Sequence, residues 1–185
     1  MSDDGFPKTW GATEEELSRR YPSDDAVPDA RTWTLRAIDI DAPPEVVFRW
    51  LCQLQKGPYS YDLLDNLGRR SPRKLIPGLE KLERGQQFMT IYELIDLEPV
   101  TSGSGQITVR TNKLKGAFGT QAVTYAVSPN ADGGTRLVAK RVLAPPRGPH
   151  GPIFKMNLPF IDYVMAKKQM KNMKKLAERQ VQEQG

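Results

Sequence analysis

The spacing of apolar residues changes several times along this chain, and each change predicts an element. From Thr32 to Ile40 the run TWTLRAIDI is rich in β-branched and aromatic residues and reads as a strand. Pro43 and Pro44 end it, because proline cannot donate to a sheet ladder yet suits the first turn of a helix. Asp41 and Glu45 put negative charge at the start of that helix, where the backbone dipole favours it. Val47, Trp50, Leu51 and Leu54 follow at i, i+3, i+4 and i+7, which is one apolar face. Gly57-Pro58 stops this helix, and a second short one is predicted over Tyr61 to Leu67, closed by Gly68.

Strand-like runs take over in the middle of the chain. FMTIYELIDLEP (Phe88 to Pro99), QITVRT (Gln106 to Thr111), TQAVTYAVSP (Thr120 to Pro129) and TRLVAKRVL (Thr135 to Leu143) are strand candidates, with a further short one near Gly78 to Glu83. TSGSG separates the first two and NADGG joins the last two as a hairpin loop. Such short connections predict antiparallel neighbours, since parallel strands need a long crossover. After the breaker segment APPRGPHGP comes the strongest amphipathic signal in the chain. Met156, Phe160, Tyr163, Ala166, Met170, Met173 and Ala177 share one predicted face of a long final helix, and Lys167, Lys168, Lys171, Lys174, Lys175 and Arg179 fall on the other.

Ahead of all this, residues 1–31 are polar and are expected to form a partly ordered extension before a single domain at 32–185. Within the extension, Thr13 stands three residues before Glu16, the spacing of a capping box, so a short helix is predicted with Trp10, Leu17 and Tyr21 as its anchors. The whole order is α+β: an antiparallel sheet with helices on one side, gripping a long helix and leaving a space suited to apolar ligands.

Composition changes this picture little. The 185 residues are 38% hydrophobic and 26% charged, and no run is long and apolar enough for a membrane span. The acidic N-terminus lacks the pattern of a signal peptide, and Cys52 is the single cysteine, so a cytoplasmic protein without an internal disulfide is expected. The net charge of +5 does not predict nucleic-acid binding: six of the 27 basic residues lie between Lys167 and Arg179, on a face without interleaved aromatics, and the remaining charges are mixed along the chain.

Candidate chemistry is sparse. His150 is the only histidine, so neither a metal centre nor a cofactor is predicted, and Cys52 reads as a buried structural thiol. No nucleophile elbow or phosphate-binding glycine loop is present. Tyr59, Tyr61 and Asp62 follow the first helix, where two phenols and a carboxylate could hold a polar head group or move protons. The alternative is that Tyr61 packs in the core and Asp62 caps the next helix. Glu93, Arg110, Lys140 and Arg141 interrupt apolar strands, and alternation lets only one of Lys140 and Arg141 face inward. An inward arginine, Arg110 or Arg141, could bind a carboxylate in bidentate fashion. Trp50, Tyr92 and Tyr125 complete the candidate cavity lining.

Three stretches resemble the SRPBCC superfamily of START domains, polyketide cyclases and birch-pollen-type allergens: IDIDAPPEVVFRWLCQL, GTQAVTYAVSPNADGGTRLVAKRVL and FIDYVMAKKQMKNMKKLAE. GATEEEL and YSYDLLDNLG are similar to a bacterial, often actinobacterial, branch of it. The resemblance spans roughly residues 8–182 and implies a helix-grip fold: a curved antiparallel sheet of six to seven strands around the C-terminal helix, with two short helices after the first strand and a cavity beneath. Binding or carriage of a hydrophobic small molecule is the leading expectation. The alternatives are a cyclase or dehydratase using Tyr61, Asp62 and an inward arginine, and, less favoured, a membrane or protein contact through the lysine face.

Overall fold

Cross-strand register decides which side chains share a face, and here it sorts one sheet into two chemically different sides. The computed structural model describes residues 5–61, 68–111, 119–146 and 151–184. Among the described residues seven strands form the sheet: β1 (Thr9–Trp10), β2 (Thr32–Ile40), β3 (Gln87–Phe88), β4 (Tyr92–Thr101), β5 (Ser104–Thr111), β6 (Thr120–Pro129) and β7 (Thr135–Ala144). Their order is β1-β2-β7-β6-β5-β4-β3, antiparallel throughout except for β1, which lies parallel to β2. The helices are α1 (Glu14–Ser18), α2 (Pro22–Ala26), α3 (Pro44–Cys52) and α4 (Gly151–Gln184), and a 3₁₀ turn at Gln53–Gln55 extends α3. The curved sheet wraps around α4, the helix-grip layout. No described helix is long and apolar enough to cross a membrane.

Local chemistry explains the bends. Register shifts between Leu94 and Asp96 and between Glu98 and Thr101 kink β4. Gly105 accommodates the second, since a Cβ there would come within 2.8 Å of the Val100 nitrogen. Ser102 and Gly103 both take positive φ, the two-residue turn that joins β4 to β5. Asn130 accepts from the Asp132 and Gly134 nitrogens and shapes the β6–β7 hairpin.

Two expectations need correction. Phe88 to Pro99 is not one strand, because Met89 and Thr90 adopt positive φ (41° and 67°) and fold Phe88 back onto Tyr92. Residues 78–83 form a turn followed by irregular chain rather than a strand, and the sheet is completed by the short edge strands β1 and β3. Strands of two residues are too short to leave an alternating pattern. The helix predicted over Tyr61 to Leu67 falls, after Tyr61, outside the described residues.

The inner face of the sheet packs on α3 and α4. Val47, Trp50, Leu51 and Leu54 are all buried, as their helical spacing predicts. The buried face of α4 matches the predicted one at Met170, Met173 and Ala177 and departs from it nearer the start of the helix. It comprises Pro159, Asp162, Gln169, Met170, Met173, Leu176 and Ala177, whereas Phe160 is half exposed and the Met156 side chain lies outside the described set.

The outer face is covered by the N-terminal segment. Tyr21 packs on Leu35, Ala37 and Val138, and Val27 packs on Ala122, Val142 and Ala144. The Ser23 nitrogen donates to Thr124 Oγ1 at 2.9 Å. Thr13 and Glu16 form the capping box, and Glu16 also accepts from Arg136 Nε of β7 at 2.7 Å. Gly11 (φ +68°) lies so close to the Ala37 carbonyl that a Cβ would be only 2.3 Å from its oxygen.

Burial alone would raise the Glu16 pKa, but hydrogen bonds from Arg136 and the Thr13 backbone outweigh it and hold the carboxyl below its ordinary 4.5. A lowered folded pKa means that this stabilisation is complete above the ordinary value and is lost as pH falls through the folded one. Glu16→Gln should therefore cost about 1–3 kcal/mol near neutral pH. In thermal melts taken across pH, the variant should also lose less Tm than the native protein once pH drops below 4.5.

Candidate functional site

Alternation along β2 turns Thr34, Arg36, Ile38 and Ile40 toward α4, so this strand carries a guanidinium into the interior. Thr34 pairs with Arg141 across the β2–β7 ladder, which puts Arg141 on the same face and Lys140 on the other. Asp162 of α4 meets all three inward groups. Its Oδ2 accepts from Thr34 Oγ1 at 2.7 Å and lies 3.1 Å from Arg36 Nη2, while its Oδ1 lies 2.8 Å from Arg141 Nε. Two guanidinium groups thus share one carboxylate, with one positive charge in excess. Their side-chain exposures separate their roles: 1% for Arg36, 2% for Asp162 and 22% for Arg141.

Arg36 spends its other donors on backbone. It bonds to the carbonyls of Leu35 (3.1 Å), Pro7 (2.6 Å) and Pro159 (3.4 Å) and to that of Lys8. Arg141 reaches the opposite way, with Nη1 donating to Tyr92 Oη at 3.3 Å and Gln121 Oε1 at 3.2 Å. Tyr92 donates to the same Gln121 oxygen, and Gln121 is fixed through its backbone to Thr111. Burial alone would lower the Arg141 pKa, but Tyr92, Asp162 and Tyr125 outweigh it and hold the group above its ordinary value, so it remains charged. Burial pushes the Tyr92 and Tyr125 phenols up. Both stay protonated near neutral pH and serve as hydrogen-bond partners rather than as bases.

A second polar cluster lies further along α4. Tyr125 donates to Gln169 Oε1 at 2.9 Å, Gln169 donates to the Pro58 carbonyl at 2.6 Å, and Asn172 donates to the Tyr59 carbonyl at 2.8 Å. Together they pin the segment leaving α3, where Tyr59 holds a φ of 56°. Around this cluster the space between sheet and helix is filled by Tyr59, Phe88, Tyr125, Met170 and Met173, each no more than 2% exposed.

The predicted site residues distribute unevenly. Tyr92, Tyr125 and Arg141 lie on the inner face in contact with the network. Trp50 and Tyr59 are buried beside α4, the indole donating to Gln180 Oε1 at 2.9 Å and standing edge-on to Tyr59. Tyr61 is exposed, and Asp62 and His150 lie outside the described residues. Arg110 is on the wrong face for a cavity, because its register with Ala122 turns it outward, where it lies 3.9 Å from Glu93. The cysteine Cys52 is buried, which pushes its thiol up to about 12. Among the described residues no group of three or more His, Cys, Asp or Glu could hold a metal ion.

Arg36, Asp162, Gln121 and Gln169 were not among the sequence candidates. Arg36 shares the even-numbered face of β2 with Ile38 and Ile40, which is a usable signal. Asp162 and Gln169 extend the Met173 and Leu176 face of α4 backward at helical spacing, but a pattern read on apolar residues alone passes over them.

Among solved structures, the chain is similar to a hypothetical protein from Helicobacter pylori, at 12% identity, covering 85% of this chain and 95% of that one with a TM-score of 0.55. A START superfamily protein from Mycobacterium smegmatis aligns at 12% identity over 83% and 99% of the two chains, with a TM-score of 0.42. Ara h 8.0201 aligns at 13% identity over 82% and 98%, with a TM-score of 0.38. The likeness to the Helicobacter protein concerns the fold alone. No protein-family model matches the sequence, and no curated protein matches it.

Removing Asp162 would leave the buried Arg36 and the partly exposed Arg141 without their shared carboxylate. Asp162→Ala is expected to cost about 3–5 kcal/mol in denaturant unfolding, the range for breaking a buried ion pair from one side. Asp162→Asn, which keeps a hydrogen-bond acceptor for Thr34, should cost less.

Proposed function

We propose that the protein is a cytoplasmic binding or carrier protein for a hydrophobic small molecule, a lipid, polyketide or aromatic metabolite, with an acidic head group directed to Arg141. The observation behind this reading is the Arg141 guanidinium. It faces the sheet–helix interior, is held by Asp162, Tyr92 and Gln121, and retains partial exposure, and its Nη2 engages no group among the described residues. An arginine held through two of its nitrogens presents the third as an oriented donor for a carboxylate, at little further loss of side-chain freedom. The surplus positive charge of the Arg36–Asp162–Arg141 set favours an anionic head. The aromatic and aliphatic residues of the inner face, Tyr92, Val109, Val123 and Leu143 among them, supply apolar surface beside it.

Denaturing mass spectrometry of solvent extracts from purified protein should release a co-purifying hydrophobic compound, and a fluorescent fatty acid should bind saturably. Arg141→Gln should weaken dodecanoate binding roughly tenfold while leaving dodecanol binding unchanged, because only the acid uses the charged hydrogen bond. No co-purifying compound together with no binding across a lipid and aromatic library would overturn the proposal.

A further inference from the structure

On the surface, a groove of about 510 Å³ lies between α3, residues 73–75 and the last turns of α4. Four cations line it, Arg49, Arg73, Lys74 and Arg179, against a single carboxylate, Glu183. Arg179 already has partners, since its Nη2 donates to the Arg73 carbonyl at 2.7 Å and its Nε lies 3.5 Å from Glu183. Arg49, Arg73 and Lys74 are exposed, and none has a side-chain hydrogen bond or ion pair among the described residues. Unpaired like charges around one concavity repel each other and raise the local potential there. The last turn of α3 explains a cation at Arg49, where it complements the helix dipole. No terminus of a described helix explains Arg73 or Lys74.

The apolar part of the lining is fixed. Leu176 and Trp50 are buried against the core, and the Trp50 indole is anchored by Gln180. The volume falls in the range of small-molecule sites. Guanidinium groups match the paired oxygens of a phosphate, and lysine adds a point charge to the same group. We infer that this groove binds a phosphate-bearing anion, a phosphomonoester or diphosphate group set among Arg49, Arg73 and Lys74, with its apolar portion against Leu75 and Leu176. The group could belong to a soluble metabolite or to a lipid head, since the phosphate chemistry is the same. The inference is independent of the Arg141 reading, because the two sites share no residue.

Titration calorimetry of the full chain with inorganic pyrophosphate, and co-sedimentation with phosphatidylcholine vesicles with and without phosphatidic acid, test it. Saturable pyrophosphate binding, or sedimentation only when phosphatidic acid is present, is the expected result, the first pointing to a soluble ester and the second to a lipid head. In whichever assay responds, Arg73→Gln with Lys74→Gln should weaken binding by tenfold or more, and Glu183→Gln should strengthen it. Lys168→Gln with Lys171→Gln, on the exposed face of α4, removes the same net charge elsewhere and should leave binding within about twofold. Absence of binding to both probes would overturn the inference. So would an equal loss in the two double variants, which would make the effect one of net charge. All the substituted residues are exposed, so circular dichroism should show unchanged folding in each variant.

Discussion

One buried carboxylate shared between two guanidinium groups, one buried and one partly exposed, sets where the long helix can lie. Asp162 is on α4, Arg36 on β2 and Arg141 on β7, so the ionic contacts hold at one helix position along the sheet. Charges this deeply buried are tolerable only with partners on nearly every polar atom. Arg36 meets that condition by drawing in carbonyls from Pro7 and Lys8, which lie far from it in sequence. The inner ion set therefore also holds the start of the chain against the sheet. α4 is latched near its other end as well, where Lys174 bridges Glu178 and Asp41, and Glu178 accepts from the Asp41 nitrogen.

The covered outer face accounts for the composition of the central strands. A sheet with one wet side alternates apolar and polar residues, whereas one buried on both sides reads as a nearly continuous apolar run. β2, β6 and β7 have α4 and the core on one side and the N-terminal segment on the other, and runs such as LVAK and QAVTYAV follow from that. Lys140 shows how a charge is accommodated there. It is nearly buried, 4.6 Å from the Trp33 ring and 3.8 Å from the Asp24 carboxylate. Arg110 and Glu93, toward the uncovered side of the sheet, keep more exposure.

The interior is graded from apolar to polar along α4. Met170, Met173, Leu176 and Ala177 close it at one end, Gln169 and Tyr125 cross its middle, and Asp162 with Arg141 stands at the other. The basic groove at Arg49, Arg73 and Lys74 lies at the surface between α3 and the last turns of α4, and the buried Trp50 stands between it and the interior.

Much of the fold was legible locally. The Pro43-Pro44 corner, the apolar face of α3, the Asn130–Gly134 hairpin, the capping box at Thr13 and the long final helix each depend on residues close together in the chain. Alternation also determined that Lys140 and Arg141 face opposite ways. Which of them turns inward depended on register with β2 and β6, and the same register sent Arg110 outward. Strands of two residues carried no period, so β1 and β3 went unseen. The Arg36–Asp162–Arg141 set was hidden for a different reason: polar residues on a buried face look like solvent-facing ones until their partners from other strands and from the last helix are brought alongside. Local spacing determined the elements and their apolar faces. The tertiary structure decided where the charges meet, because electrostatic pairing depends on distance in space and leaves no period in the sequence.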